Sequence, residues 1–439
     1  MQRLRGRNLL LVGFTLFSMF FGAGNLIFPP FLGAQAGTAT WIAMVGFAVS
    51  AIGFPILGVV EVARSGGLPN LARRVHPWFS AVFILLIYLS IGPGLAIPRT
   101  ASTSFEMVAP YLGGGRWMQL VYSIVFFAAA GTVALRPEKL TKRLGKILCP
   151  TLIVLIVVLF LGCLLHPVAS GYGEATGDYR NLPIITGFLG GYQTMDTIAA
   201  LNFGVIIALN IRALGISDER EVVRGTIRAG IIAAVLFVLL YGMLAHVGAM
   251  SGAAFPGGEN GAVTLTRITS ALFGTSGGIL LGAIFVIACF NTCTGLLSCC
   301  SEYFHEIVPR VPYGGWVAFF AVASMLVSNV GLTQILAISV PVLGAIYPAA
   351  LVLILLALGG EKLTRLRFVY PLTVGLVSVE SIVAALGQAK IHIPLLSDVL
   401  AALPLAEQSL GWVLPAVVGF AAGVVLSLCF PSQKLPEKG

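Results

Sequence analysis

Long apolar runs separated by short polar stretches recur along nearly the whole chain, and about 20 apolar residues are what one helical crossing of a bilayer requires. On that measure the chain divides into about twelve segments, at 8–32, 38–62, 78–100, 118–134, 145–165, 183–211, 225–250, 276–300, 312–330, 333–358, 367–388 and 411–430. They are numbered 1 to 12 below. Two of them carry residues that an unbroken helix would not choose. Segment 1 includes GFTLFSMFFGAGNLIFPPFLG, in which Gly22 and Gly24 flank Ala23 and precede Asn25 in mid-run, with Pro29 and Pro30 one turn later. Each Gly weakens a helix by about 1 kcal/mol relative to Ala, so the segment is expected to break at mid-membrane. Segment 6 reads GFLGGYQTMDTIAALNFG, where Gly187, Gly190 and Gly191 precede Tyr192, Thr194, Met195 and Asp196, and it too is expected to unwind near its middle.

Unwound backbone at membrane depth is tolerated only where protein buries it or where it lines a cavity. The alternative for segment 1 is a kinked helix packed closely through small residues. Segments 1 and 6 enter from opposite sides, so their breaks would meet head to tail. Paired interrupted helices in two halves of opposite topology point to a midplane site in a transporter built from inverted repeats. The expected organisation is one transmembrane domain, 1–439, with residues 8–165 and 183–358 as the two five-segment repeats and 367–430 outside them. No residue-level repeat accompanies this, so the symmetry rests on topology and on the two breaks.

Composition agrees with the pattern: 58% of the 439 residues are hydrophobic, 10% are charged, and mean hydropathy is +0.97. Such a chain cannot hide its apolar surface in a water-soluble fold and reads as an all-α polytopic membrane protein. The net charge of +9 does not indicate a nucleic-acid partner, because the basic residues gather in alternate connections. All but five of the 26 basic residues fall on one side, the exceptions being Arg99, Arg116, Arg180, Arg267 and Lys390. The positive-inside rule then puts both termini in the cytoplasm. Arg3, Arg136, Lys139, Lys142, Arg143, Lys146, Lys434 and Lys438 contribute to that bias. The first apolar run has no small-residue cleavage site and is expected to be retained. The seven cysteines, Cys149 among them, show no metal or disulfide spacing and are expected to be free, apolar-like thiols. The connection 251–275 folds back as a short helical cap on the outer mouth or stays a solvated loop.

A helix that ends at mid-membrane leaves its last carbonyls unpaired, and one that starts there leaves its first amides unpaired. A zwitterion suits both, with its carboxylate on the amides after Gly22, Ala23 and Gly24 and its ammonium near the carbonyl ends before the breaks. Glycine helps by close approach and by permitting positive φ. Segment 8 adds Asn291, Thr292 and Thr294, with Ala288 on the same face as Thr292. Hydroxyl and carbonyl oxygens suit a hard cation such as sodium; alternatively the threonines bond back to their own helix.

Several motifs together resemble one family. They are Phe21-Gly22-Ala23-Gly24-Asn25 with Phe28-Pro29-Pro30, Gly92-Pro93 with Pro98-Arg99-Thr100, Gly191-Tyr192 with Thr194-Met195-Asp196, and Ser339-Val340-Pro341-Val342-Leu343 before Tyr347-Pro348. The chain is similar in these, over essentially its whole length, to the bacterial branched-chain amino acid cation symporters, the transport system II carriers of the amino acid, polyamine and organocation superfamily. The resemblance implies a leucine-transporter-like fold in the bacterial inner membrane and sodium-coupled uptake of leucine, isoleucine and valine, with sodium as coupling ion and no other cofactor. It implies a sodium site of the Ser18, Phe21 and Ala288 carbonyls and the Asn291 and Thr292 side chains. Asn291 departs from the superfamily's usual hydroxyl.

Other polar residues leave alternatives open. Asp196 either serves the site, orienting Tyr192 or an ammonium, or clamps unwound backbone. Tyr88 either closes over a substrate or packs; Arg99 either snorkels to the interface or gates it; Glu380 reads as a bundle contact. The five histidines form no metal-spaced pair, and no HExxH, phosphate loop or nucleophile elbow is present, so no residues carry enzymatic chemistry. A proton-driven carrier using Asp196 is the nearest alternative. A channel or an amino-acid sensor on the same scaffold is a further one, against which stand the lack of a ring of selectivity groups and of a signalling domain. Oligomeric state has no signature in the sequence.

Overall fold

The computed structural model describes residues 4–135 and 149–430. Arg3, Arg136, Lys139, Lys142, Arg143, Lys146, Lys434, Lys438 and the side chain of Cys149 lie outside what it describes. Among the described residues every regular element is helical, and helices fall on each apolar segment. Among the described residues eight helical runs are long and apolar enough to cross a membrane, and the apolar helices Gly6–Phe20, Pro150–Leu165, Tyr313–Ser328 and Val413–Cys429 are shorter. Large apolar side chains such as Trp41, Val45, Leu85, Val125, Leu161 and Leu239 are exposed on the outside of the bundle, where a lipid-facing surface carries them. The six described cysteines are free thiols.

Both expected breaks are present. Segment 1 is Gly6–Phe20 followed by Ala23–Ala36, with Phe21 and Gly22 extended between them. The second half runs helically through Pro29 and Pro30. Segment 6 is Pro183–Tyr192 followed by Asp196–Ala213, and Met195 sits in the left-handed region at φ 66°. Segment 3 holds a third break that the sequence reading placed no weight on. It does not end near residue 100: Pro77–Leu89 passes through a distorted turn at Ser90–Gly94, around Gly92 and Pro93, into Ala96–Leu112. Proline lacks the N–H that would continue the ladder, and the helix resumes one turn on. Arg99, counted above among outer-side cations, is therefore in the first turn of a buried helix and only 4% exposed.

The packing carries the signature of an inverted repeat. Segment 1 lies along segment 7 and segment 6 along segment 2; segment 5 rests on 7 and segment 10 on 2; segment 3 packs on 8 and segment 4 on 9. Exchanging segments 1–5 for 6–10 swaps the first pair with the second and the third with the fourth, and maps the 3–8 and 4–9 pairs onto themselves. Segments 11 and 12, Val369–Gln388 and Val413–Cys429, pack on each other, and segment 11 on segment 10. The connection after segment 7 does fold back as a helix: Gly261–Ile307 is kinked at Gly274, and residues 261–273 precede segment 8. Asn260 caps this helix through Val263 N–H at 3.0 Å and donates to Glu106 at 3.2 Å, tying it to the end of segment 3.

Glycine sets how closely the paired helices approach. A Cβ on Gly33 would lie 2.0 Å from the Ala245 carbonyl of segment 7, and one on Gly187 would lie 2.0 Å from the Ala43 carbonyl of segment 2. Backbone cannot yield as a side chain can. Gly33→Ala is therefore expected to destabilise the bundle by about 1–3 kcal/mol, the usual cost of overpacking, read as a lower melting temperature of the purified protein.

Candidate functional site

The two breaks lie side by side and are bound together by polar side chains. Asn25, in the first turn after the segment 1 break, accepts from Gly22 N–H at 3.2 Å and donates to Asp196 Oδ2 at 2.5 Å. Its amide also contacts the Tyr241 hydroxyl at 2.5 Å, and that hydroxyl donates to Asp196 Oδ2 at 3.4 Å. Asn25, Asp196 and Tyr241 are all buried. Asp196 thus grips segment 1 and segment 7, and Tyr192 is not its partner.

Because Gly22 N–H turns to Asn25, the Ser18 carbonyl loses the donor it would have in an unbroken helix, and Phe21, with ψ 92°, lies outside both helical halves. Ala23 and Gly24 then begin a helix with their amides unpaired. Neither Gly22 nor Gly24 has a positive φ, so space rather than backbone conformation requires them. A Cβ on Gly22 would meet Thr292 Oγ1 at 2.5 Å, and one on Gly24 would meet Arg99 Nη2 at 2.9 Å and the Thr194 Cα at 3.3 Å.

Arg99 supplies the site's buried cation. Nη1 donates to the Gln193 carbonyl at 2.7 Å and Nη2 to the Thr194 carbonyl at 3.4 Å, while the guanidinium lies 5.5 Å from the Phe28 ring centre. These carbonyls end the first half of segment 6, the negative end of a helix. The cation expected there from a ligand is thus provided by the protein. Arg99 Nε–H is buried with no partner.

On the other side of the segment 1 break stands segment 8. Asn291 Nδ2 lies 3.4 Å from Ser18 Oγ, and the Thr292 hydroxyl is buried against Gly22 without a hydrogen-bond partner. Thr294, by contrast, bonds back to the Asn291 carbonyl at 2.8 Å. Ala288 is buried one turn before Thr292. A buried hydroxyl left unpaired is costly, and its oxygen, like the Ser18 carbonyl that has lost its helical donor, is of the kind that suits a hard cation. The residues present fit sodium in that sense. Among the described residues no cluster of His, Cys, Asp or Glu competes as a metal site.

Between the breaks lies a small cavity of about 40 Å³ lined by Gly22, Gly24, Asn25, Thr194, Met195 and Asp196, with Ala23, Arg99 and Thr292 also on its wall. Phe20, Ile91, Ala199, Phe203 and Leu296 give it an apolar side. It has room for a few water-sized groups, so admitting a larger ligand requires these side chains to withdraw.

Other residues singled out from the sequence lie elsewhere. The Phe21 ring stacks in the core on Phe17 and Phe237, leaving only its backbone at the break. Tyr88 stacks on Tyr303 with ring centres 3.8 Å apart, off the cavity. Gly190 and Gly191 belong to intact helix, and a Cβ on Gly191 would meet Ser50 of segment 2 at 2.7 Å. Tyr192 stacks on Tyr347 and faces a different cavity. Arg99, weighed from the sequence only as an interfacial or gating residue, and Tyr241, not singled out there, join this cluster. A charge in a long apolar segment was the available signal for Arg99; nothing distinguished Tyr241 from a packed tyrosine.

Comparison with known proteins gives concordant results. A family model described as branched-chain amino acid transport protein matches residues 5–429. The chain is 41% identical over 429 residues to the branched-chain amino acid transport system 2 carrier protein of Pseudomonas aeruginosa, covering 97% of each chain. It is 39% identical over 440 residues to the branched-chain amino acid permease BraB of Bacillus subtilis, covering 98% of each. Against the branched-chain amino acid permease BrnQ of Escherichia coli it is 36% identical over 436 residues, covering 97% of this chain and 96% of that one. Among solved structures, the nucleobase-cation-symport-1 family transporter Mhp1, closed with bromovinylhydantoin bound, superimposes with a TM-score of 0.62 at 13% identity, covering 97% of this chain and 94% of that one. MhsT in complex with L-phenylalanine gives 0.51 at 16% identity, covering 98% and 99%. These likenesses show a leucine-transporter-like fold.

Proposed function

The chain belongs to the branched-chain amino acid transport protein family, and from that premise we propose that it is a sodium-coupled symporter importing leucine, isoleucine and valine across the bacterial inner membrane by alternating access. It is a transport carrier, not an enzyme. Its partners in this reading are the amino acid, sodium and membrane lipid, and both termini are cytoplasmic.

The substrate's carboxylate faces the free amides of Ala23 and Gly24 together with Arg99 Nε–H, which lacks any other acceptor. Backbone amides at a helix start and a guanidinium both favour an anion. The ammonium takes the negative side of the site, where the inner half of segment 1 ends and Asp196 lies. The branched side chain meets Phe20, Ile91, Phe203 and Leu296. One methylene in such a pocket is worth about 1–3 kcal/mol, so the three substrates compete with one another, while lysine and glutamate would have to bury a charge.

The observation that carries the coupling is the Thr292 hydroxyl, buried and unpaired against Gly22. The Ser18, Phe21 and Ala288 carbonyls with the Asn291 and Thr292 side chains would hold sodium as the second substrate. An ion there joins segment 1 to segment 8 and neutralises the carbonyl end of the inner half-helix, which favours the arrangement that also binds the amino acid. The direct test is uptake of labelled leucine into proteoliposomes with sodium and pH gradients imposed separately. A sodium gradient alone should drive accumulation; accumulation on a pH gradient alone would replace this reading with proton coupling at Asp196. Thr292→Ala should raise the sodium concentration for half-maximal uptake at least about tenfold, a loss of about 1.4 kcal/mol, with recovery at high sodium and rescue by Thr292→Ser. Unchanged sodium dependence in Thr292→Ala would remove this residue from the site.

A further inference from the structure

A second and larger cavity, of about 490 Å³, lies between the first half of segment 6, segments 10 and 11, and the connection 389–412. Its wall includes residues of the connection 389–412, which the distribution of basic residues puts on the outer side. Its volume falls in the range of small-molecule sites. Leu189, Val340, Val383 and Leu400 give it apolar walls.

Three buried polar groups converge on those walls. Glu380 is 5% exposed and has no hydrogen-bond or ion-pair partner among the described residues, its carboxylate lying against Gly411. The Tyr192 hydroxyl and the Trp412 indole N–H are buried side by side on this wall, and neither makes a hydrogen bond of good geometry to the other or to any other described group. A buried carboxylate with no partner is costly in its ionised form unless a cation meets it. Among the described residues no group of three His, Cys, Asp or Glu side chains is placed to hold a bare metal ion. The indole N–H is a donor only and calls for an acceptor. The cavity therefore asks for one molecule with a cationic head, an acceptor beside it and an aliphatic body.

We propose that this cavity is a second binding site, distinct from the helix breaks, for an aliphatic α-amino acid, whose ammonium pairs with Glu380 and whose carboxylate accepts from Trp412 Nε1–H and the Tyr192 hydroxyl. The wall of the cavity includes Tyr192 and Gln193, and the Gln193 carbonyl is the one that Arg99 holds at 2.7 Å. An occupant thus bears on the last turn before the segment 6 break and biases the movement of that half-helix. The inference goes beyond the transport reading and does not depend on it.

Trp412 provides a local readout. Titration of the full-length protein in lipid nanodiscs with leucine should produce a saturable change in tryptophan fluorescence that disappears in Trp412→Phe. Glu380→Gln should weaken that binding at least tenfold without lowering the melting temperature, since it removes an unpaired buried charge. Gly411→Ala, whose methyl would displace the carboxylate, should weaken it in the same direction. The compound 4-methylpentanoate, which keeps the body and carboxylate but lacks the ammonium, should give no change. Equal leucine affinity in wild type and Glu380→Gln would overturn the proposal, as would an equal response to 4-methylpentanoate, which would mean a greasy cavity that takes any apolar tail. Because the signal comes from Trp412, it reports this cavity even if the site at the breaks carries another substrate.

Discussion

Arg99→Ala is expected to reduce leucine uptake at least about 100-fold, the largest effect of any single side-chain truncation in the chain. The guanidinium spans two carbonyls at the end of a helix, Gln193 and Thr194, and its Nη2 borders the site of Gly24. A hydrogen bond to a charged group is worth about 1.5–3 kcal/mol, and each 1.4 kcal/mol is tenfold. Losing both contacts, with the interaction proposed for the substrate carboxylate, accounts for the size of the effect. Arg99→Lys should not restore uptake, because a point charge cannot bridge two acceptors as a planar fork does. Stability complicates the single variant, since Asp196 is buried nearby and removing a compensating charge is itself destabilising by about 3–5 kcal/mol. The double variant Arg99→Gln with Asp196→Asn separates the two. It should recover the melting temperature but not leucine binding. A double variant that binds leucine like the wild type would reduce Arg99 to a counter-charge.

What the sequence made legible is the backbone, and the reason is physical. The glycines and prolines of segment 1 marked it as a place where a helix is weak, and the break falls at Phe21 and Gly22, although Gly24, Pro29 and Pro30 stay helical. The break in segment 6 follows less directly: Gly187, Gly190 and Gly191 stay helical, and the chain unwinds only after Tyr192, over residues 193–195. Gly187 and Gly191 are there because segment 2 approaches to backbone contact, a tertiary demand that a glycine-rich run cannot distinguish from a break. The same ambiguity hid Arg99. Counting apolar residues ended segment 3 near residue 100, which left the arginine at the interface, whereas the turn at Gly92 and Pro93 lets the helix continue to Leu112 and takes the charge into the core. Tyr88 and Tyr192 show the converse. An aromatic residue at the expected depth is not enough, because the face it occupies depends on neighbours such as Tyr303 and Tyr347, far away in sequence. Thr292 stood out in the sequence as a hydroxyl in an apolar helix, on one face with Ala288, that could serve a hard cation or bond back to its own helix. Its lack of a partner in the folded chain is a fact of packing.

Gly24→Val is expected to abolish leucine binding while the protein still folds, and the contrast with Gly33 shows why the two glycines of one segment answer different questions. A Cβ at Gly33 strikes the Ala245 carbonyl, backbone of the adjoining helix, at 2.0 Å. At Gly24 the nearest atom is Arg99 Nη2 at 2.9 Å, the end of a flexible side chain, followed by the Phe28 ring and the Thr194 Cα at 3.3 Å. Arg99 can retreat at modest cost to the fold, but in doing so it leaves the Thr194 carbonyl, and the added methyl groups fill a cavity of only about 40 Å³. Gly24→Ala should therefore weaken leucine binding at least about tenfold, or 1.4 kcal/mol, and Gly24→Val should remove it, both with melting temperatures close to wild type. Gly33→Ala should show the opposite profile, a lower melting temperature with binding retained in the folded fraction. Gly22→Ala offers an independent route, because its Cβ would meet Thr292 Oγ1 at 2.5 Å; sodium dependence should shift in that variant before leucine affinity does. The measurement is labelled leucine binding set beside thermal unfolding for all four proteins. Normal leucine affinity in Gly24→Val would sink the site at the breaks. So would a result in which Gly22→Ala and Gly24→Ala lose binding only in proportion to lost stability, as Gly33→Ala does, because the glycines of segment 1 would then serve helix packing alone.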